Sequence, residues 1–279
     1  MKFWDQSWNP IVGCTPKSEG CDHCWAKRQY ERFQVWHYGD VSFETVRYMP
    51  ERLYQPLHWR KPRRIFVCDM SDLFHDVITH EVRTEIFDAM CSWRWPNKAA
   101  QREGDDTAMV DPGHTFYVVT KRPENIRPWL DWVDNSWPGA SPLQVARDAV
   151  VAWTAWFQSG APVEGWPKHI WMIVTAENQA RFDERVPILF DAPVSNRGVL
   201  LEPLLGPIKL SLALGRAAGT GLDWAVVGGE TGPGARPMNP DWARSIRDQC
   251  QAAGVPFFMK QMSGRQPIPA DLLIREWPR

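Results

Sequence analysis

A chain of 279 residues with a formal net charge of −1 is long enough to bury a large core and has no global basic field of the kind that announces nucleic acid. No stretch approaches roughly eighteen consecutive apolar residues, and the opening Met-Lys-Phe-Trp-Asp-Gln has no apolar h-region, so neither a membrane span nor a signal peptide is expected. Six cysteines without a regular framework argue against a disulfide scaffold and for a reducing cytoplasm.

The first feature in the chain is the stretch from Trp8-Asn9-Pro10 to Cys24-Trp25-Ala26, with Cys14, Cys21 and Cys24 spaced C-x6-C-x2-C. Thiolates bind soft metals, and the Cys21/Cys24 pair can reach one centre from a single turn. A structural zinc site wants four ligands, and the fourth would have to come from far away: His37, Cys68 or His75. An iron–sulfur cube on three cysteines keeps one iron open for a small ligand. On spacing alone the two weigh equally. His23 lies between the paired cysteines and is expected to point away from a shared metal. Cys68, Cys91 and Cys250 are isolated, and a buried free thiol is their default reading.

Trp25 to Trp36 reads as a helix. The basic run Arg60-Lys61-Pro62-Arg63-Arg64 precedes an apolar strand from Ile65, ending in Cys68-Asp69-Met70. Thr79 to Ser92 has helical spacing, and about 94–113 is a polar insertion. A strand from Thr115 to Thr120 ends in Lys121-Arg122-Pro123, and Asn125 to Trp132 follows as a helix. A second insertion covers about 134–168. Strands from His169, Asn196, Leu222 and Val255 end respectively in Glu177-Asn178, Glu202-Pro203, Gly228-Gly229-Glu230 and Lys260-Gln261. Asn178 to Phe190 is helical, shortened by Pro187. Asp241 to Ala253 is a helix closed by Gly254.

Strands alternating with helices predict an α/β chain with a parallel sheet, either open and doubly wound or closed as a barrel. In both, ligands bind at the C-terminal strand ends, where the polar groups just named converge. Asp69, Ser71 and Asp72 suit an ammonium group, and Lys121 and Arg122 a carboxylate or phosphate. Glu230 suits ribose hydroxyls or an amine, and Glu177 and Glu202 are either surface residues or suited to a polar zwitterionic ligand. Gly228 and Gly229 either admit a ligand to the backbone or make a tight turn. No phosphate-binding glycine loop is present.

These residues together carry a resemblance. The cysteine loop followed by parallel β/α units resembles the radical S-adenosylmethionine (radical SAM) superfamily. More closely, the chain is similar to a phage and bacterial family within it. The shared segments are Trp8-Asn9-Pro10 with Gly13-Cys14, Gly20-Cys21 to Cys24, Met70-Ser71-Asp72-Leu73-Phe74, Thr120-Lys121-Arg122-Pro123, Glu202 to Pro207, and Gly228-Gly229-Glu230 to Pro237. The match runs on through Asp248-Gln249-Cys250 and Gly254-Val255-Pro256 to Gln261 and covers most of the chain. The resemblance implies one domain over 1–279, a partial parallel (β/α)6-type barrel with loop insertions. It also implies a [4Fe–4S] cluster on Cys14, Cys21 and Cys24, with S-adenosylmethionine on the open iron. By position, Ser71 or Asp72 would meet the methionyl amine, Lys121 or Arg122 its carboxylate, and Glu177 or Asn178 the ribose; Glu202, Gly228, Gly229 and Glu230 complete the cofactor set. The common superfamily spacing is C-x3-C-x2-C with an aromatic residue where this chain has His23, and the usual Gly-Gly-Glu-type turn after the second strand is replaced by Asp69-Met70-Ser71-Asp72.

The family context implies a nucleic-acid base as substrate, most sharply a modified thymine in phage DNA rearranged at its appended group in the host cytoplasm. Arg60, Lys61, Arg63, Arg64 and Arg94, the last flanked by Trp93 and Trp95, are the candidate DNA contacts, with the Trp-rich loops near 129–137 and 153–166 in a chain of 17 tryptophans. Near-neutral charge counts against tight nonspecific binding, and core packing is the default for each single tryptophan. Two rivals are a radical enzyme acting on a peptide or small metabolite and a noncatalytic metal-stapled nucleic-acid-binding module. Cys68 is the candidate hydrogen-donating thiol.

Overall fold

The computed structural model describes residues 2–37, 40–59, 61–92, 113–136, 166–210 and 221–278. Arg60 and Arg94, and nearly all of both expected insertions, lie outside the described residues.

Among the described residues seven strands form one sheet: β1 (Gln6–Trp8), β4 (Arg63–Val67), β5 (His114–Thr120), β6 (Ile170–Thr175), β7 (Arg197–Leu201), β8 (Trp224–Gly228) and β9 (Phe257–Gln261). Every adjacent pair is parallel, and the spatial order follows the chain order. This winding has no reversal point, which separates it from the doubly wound alternative. A short antiparallel pair, β2 (Ile11–Val12) with β3 (Arg47–Tyr48), carries the chain into the cysteine loop. The described helices are α1 (Trp25–His37), α2 (His80–Ser92), α3 (Ile126–Ser136), α4 (Gln179–Asp191) and α5 (Pro240–Ala253).

The strands read as continuous apolar runs because both faces are covered. Val67, Val118, Met172, Val199, Val227 and Met259 belong to the main core on the convex side. The alternate residues Tyr117, Trp171, Trp224 and Phe258 face the concave side and close around Phe3. That cluster measures the curl. The Phe3 ring lies 5.9 Å from Phe66 of β4 and 6.2 Å from Phe258 of β9. A flat sheet would hold β4 and β9 on the order of 24 Å apart. The sheet is therefore a half-barrel with an aromatic plug toward the N-terminal strand ends.

Two details depart from the sequence reading. Helix α4 continues through Pro187. Pro187 is solvent-exposed, as is Asp183, so the carbonyl that loses its intrahelical donor lies on the wet side. Strand β1 escaped notice because three residues carry too little pattern. It is fixed instead by pairing Ser7 with Phe66 on the neighbouring strand.

Candidate functional site

The concave face changes character along each strand. Above the aromatic plug come Val119, Ile173, Leu200 and Val226; above those, the chain presents Cys68, Lys121, Thr175, Glu202 and Lys260. A cavity of about 310 Å³ opens there, between the apolar floor and the cysteine loop. Cys14, Cys21 and Cys24 line it together with Ser71, Asp72, Arg122 and Glu230. The three cysteines are free and half-buried.

The loop that carries them is clamped to the strand ends. Gly13 has φ +92°, and a Cβ there would lie 2.4 Å from the Thr45 carbonyl oxygen, so only glycine fits. Its N–H donates to Met70 O (3.1 Å), and that of Cys14 to Phe43 O (2.9 Å). His75 Nε2 lies 2.8 Å from Thr15 Oγ1 while Nδ1 accepts from the Val77 N–H, so His75 secures the residue after Cys14. Ser18 Oγ donates to Glu177 Oε1 (2.8 Å), and Glu19 is held by Asn178 and by Arg181 (3.2 Å). Gly20 packs flat on Glu177: a Cβ there would meet Oε1 at 2.2 Å. Arg236 donates to both oxygens of Glu230 (3.0 and 2.6 Å) and to Glu19 O (2.9 Å), and His23 Nδ1 lies 2.9 Å from Glu230 Oε2. His23 itself lines the cavity, with Nδ1 turned to Glu230.

Several residues assigned to the cofactor thus have protein partners of their own. Asp72 accepts from Thr120 Oγ1 (2.7 Å) and from the N–H groups of Lys121 and Phe74 (2.9 and 3.0 Å), and Arg122 approaches at 3.5 Å. This network ties the end of β4 to that of β5. Glu177 is fully buried between Ser18 and Arg185, and neither it nor Asn178 lines the cavity. Gly228 and Gly229 accommodate the chain itself: a Cβ on Gly228 would lie 3.1 Å from Glu202 Cδ, and one on Gly229 2.3 Å from the Ser263 nitrogen. The clearance at Gly228 lets Glu202 reach across β8 to Lys260 on β9 (2.5 and 2.6 Å). Ser71, whose hydroxyl donates to Gly13 O, Lys121 and the Glu202–Lys260 pair all face the cavity.

Electrostatics follow the burial. The Cys14 thiol is pushed up to about 12 by burial, reinforced by Asp72 and opposed by Arg122. Burial likewise raises the Cys68 thiol, which is fully enclosed and has φ +59°, a left-handed conformation uncommon outside glycine. For Lys121, burial opposes the charge, but Glu177 and the Cys21 and Cys24 sulfurs outweigh it and raise its pKa. Glu230 is the reverse: burial raises its carboxyl, yet the Arg236 and His23 hydrogen bonds hold it below the ordinary 4.5. A depressed folded value stabilises the loop clamp above the unfolded value and loses that contribution as pH falls through the folded one. Wild type is therefore expected to be more stable than Glu230→Gln near neutrality, with the gap narrowing below about pH 4. Urea midpoints measured across pH check this; a gap independent of pH refutes it.

The candidate DNA contacts are placed elsewhere. Arg63 and Arg64 begin β4, so they sit at the strand end opposite the cysteines. Arg63 donates to Gln6 Oε1 (3.0 Å), and Arg64 forms a two-pronged pair with Asp5 (3.1 and 2.8 Å). Lys61 is exposed beside them. Trp129 and Trp166 are core residues. Trp25, which the sequence reading assigned only to the helix, lines the cavity and is 41 % exposed; its place directly after Cys24 was the available signal.

The donor set can be weighed against a metal. Among the described residues, no three His, Cys, Asp or Glu side chains are drawn together at ligand spacing. The three thiols nevertheless share one cavity, with donors aimed at two of them: the Lys17 N–H at Cys21 Sγ (3.4 Å) and Arg122 at Cys14 Sγ (3.8 Å). His75 is held through both ring nitrogens and His23 through Nδ1, and Cys68 lies in the floor. Among the described residues the set is thus three thiols on one cavity with no fourth cysteine in the loop, a donor chemistry that an iron–sulfur group could use.

A family model described as "Protein of unknown function (DUF5131)" matches residues 1–101 and 102–270. The chain belongs to that family. No curated protein and no solved structure matches it.

Proposed function

We propose that this protein is a radical SAM enzyme whose cavity at the C-terminal strand ends holds a [4Fe–4S] cluster on Cys14, Cys21 and Cys24 with S-adenosylmethionine beside it. The observation that carries the reading is three free cysteines clamped over one cavity at the mouth of a parallel half-barrel. When bound, that cofactor pair supplies reductive cleavage of the sulfonium and a 5′-deoxyadenosyl radical able to take hydrogen from an unactivated carbon. The residues of this chain do the rest. Ser71 and Lys121 offer polar contacts for the zwitterionic methionyl end. The floor of Val119, Leu200 and Phe66 excludes water and presents carbon rather than polar hydrogen to the reacting volume. Glu202, bridged to Lys260 and Gln261, offers a polar wall opposite the cysteines.

For the substrate we propose a nucleic-acid base, most sharply a modified thymine of phage DNA, extruded into the cavity past the exposed Trp25 ring. A second reading, a small metabolite or peptide, is favoured by one observation: Arg63 and Arg64 are paired with the chain itself at the far end of the sheet. The test is anaerobic reconstitution with iron and sulfide, reduction, addition of S-adenosylmethionine, and mass detection of 5′-deoxyadenosine. Its release is the expected result, with modified DNA and nucleosides offered first as substrates. One bound zinc and no 5′-deoxyadenosine would instead make this a metal-stapled binding module.

A further inference from the structure

Arg122 is 2 % exposed, an unusual position for a permanent cation, and its whole guanidinium is directed at the cysteine loop and the turn beneath it. One terminal nitrogen, NH2, donates to Thr15 O (2.9 Å) and lies 3.1 Å from Thr15 Oγ1. The other, NH1, points at Cys14 Sγ (3.8 Å), and Nε points at Asp76 (3.4 Å). Asp72, 3.5 Å from NH1, shares the charge. Position 122 lies two residues past the end of β5. Its N–H donates to Thr120 Oγ1 (2.8 Å), whose hydroxyl donates in turn to Asp72, so the backbone that carries the guanidinium is itself fixed. A surface arginine would sample many rotamers; this one is held with its fork against one sulfur and the next carbonyl.

The sequence reading offered Arg122 to a cofactor carboxylate. The geometry points to another role, which rests on the metal reading above: we infer that Arg122 is the positioning residue for Cys14, holding the sulfur of the metal-binding loop in a cationic, hydrogen-bonded environment that strengthens metal binding and raises the reduction potential of the bound cluster. The physical reason is general. Reduction adds negative charge to a thiolate-ligated centre, and a fixed cation donating N–H to one of the sulfurs stabilises the reduced form more than the oxidised one. The same donor orients the ligand before metal arrives. Among the described residues, Cys21 accepts from the Lys17 backbone N–H and shares the Lys121 charge with Cys24, whereas Cys14 is the sulfur met by a side-chain N–H donor.

The test compares wild type, Arg122→Gln and Arg122→Lys as reconstituted full-length protein, reading iron and sulfide content, iron affinity against a chelator, and the cluster midpoint potential. Arg122→Gln keeps a polar side chain and removes the charge and the fork. It is expected to lose roughly 10–100-fold in metal affinity and to show a more negative midpoint. Arg122→Lys keeps the charge without the fork and is expected to hold a midpoint near wild type. A purely structural role for Arg122 would lower thermal stability in both variants alike and leave the potential of the remaining intact cluster unmoved. An Arg122→Gln protein with a full cluster at the wild-type potential overturns the inference and spares the reading beneath it. Wild type that takes up no iron overturns both.

Discussion

Cys14→Ala, Cys21→Ala and Cys24→Ala are each expected to abolish the iron–sulfur chromophore after anaerobic reconstitution, whereas Cys68→Ala retains it. The reason is the absence of a substitute among the described residues. His75 is held against Thr15 and Val77, and His23 against Glu230. Cys68 is fully buried directly after β4, in the floor, and is not carried by the loop that brings the other three sulfurs together. With two ligands left, a cluster has no stable seat. Iron and acid-labile sulfide content, read beside the absorbance spectrum, checks all four variants. A full cluster in any of the first three would remove that cysteine from the ligand set, and loss of iron in Cys68→Ala would bring Cys68 into it.

Glu177→Ala is expected to destabilise the protein by about 3–5 kcal/mol, the cost of leaving a buried charge without its partner, and to lower Tm on the order of 10 °C in a chain of this size. Glu177 and Arg185 are both essentially inaccessible and lie 3.2 Å apart. Arg185 already has Nε and Nη2 without hydrogen-bond partners among the described residues, and Glu177 supplies the one carboxylate they pair with it. The same substitution removes the acceptor of Ser18 and the surface on which Gly20 lies, so the loop between Cys14 and Cys21 loosens as well. Replacing both members with apolar residues, Glu177→Leu with Arg185→Met, is expected to recover part of the loss, because no orphaned charge remains. A ribose-binding Glu177, the role the sequence position suggested, would leave Tm unchanged and weaken only the cofactor. Thermal unfolding of the three variants separates these outcomes.

Much of the architecture was legible in the residues. Apolar runs closed by polar clusters marked six of the seven strands, and helical spacing located α1, α2, α3, α4 and α5 to within a few residues. Pattern works there because parallel strands and amphipathic helices must bury their apolar faces wherever they fall in the chain. It failed at β1, whose three residues are too few for a period, and at Pro187, where solvent on one side of α4 can hydrate the carbonyl left without a donor.

The cavity was harder to read, for a physical reason. Sequence shows which polar residues end the strands, but a carboxylate at a strand end looks the same whether it meets a ligand or another segment of its own chain. Glu177, Asn178 and Glu230 face the cysteine loop, Gly228 and Gly229 make room for Glu202 and Ser263, and Asp72 joins β4 to β5. These are pairings between residues far apart in the chain, and only the curl of the sheet brings them within hydrogen-bond reach. The basic run shows the converse. Its charge was visible at once, but its direction along β4 and its pairing with Gln6 and Asp5 were not.

By itself, then, the sequence determined the parallel β/α succession and the three closely spaced thiols, because both are local: one follows from the burial of apolar periods, the other from ligand spacing within eleven residues. The tertiary structure decided which polar groups are left facing the cavity and which hold the loop above it. That choice depends on where seven strands end relative to one another, a distance that no stretch of sequence contains.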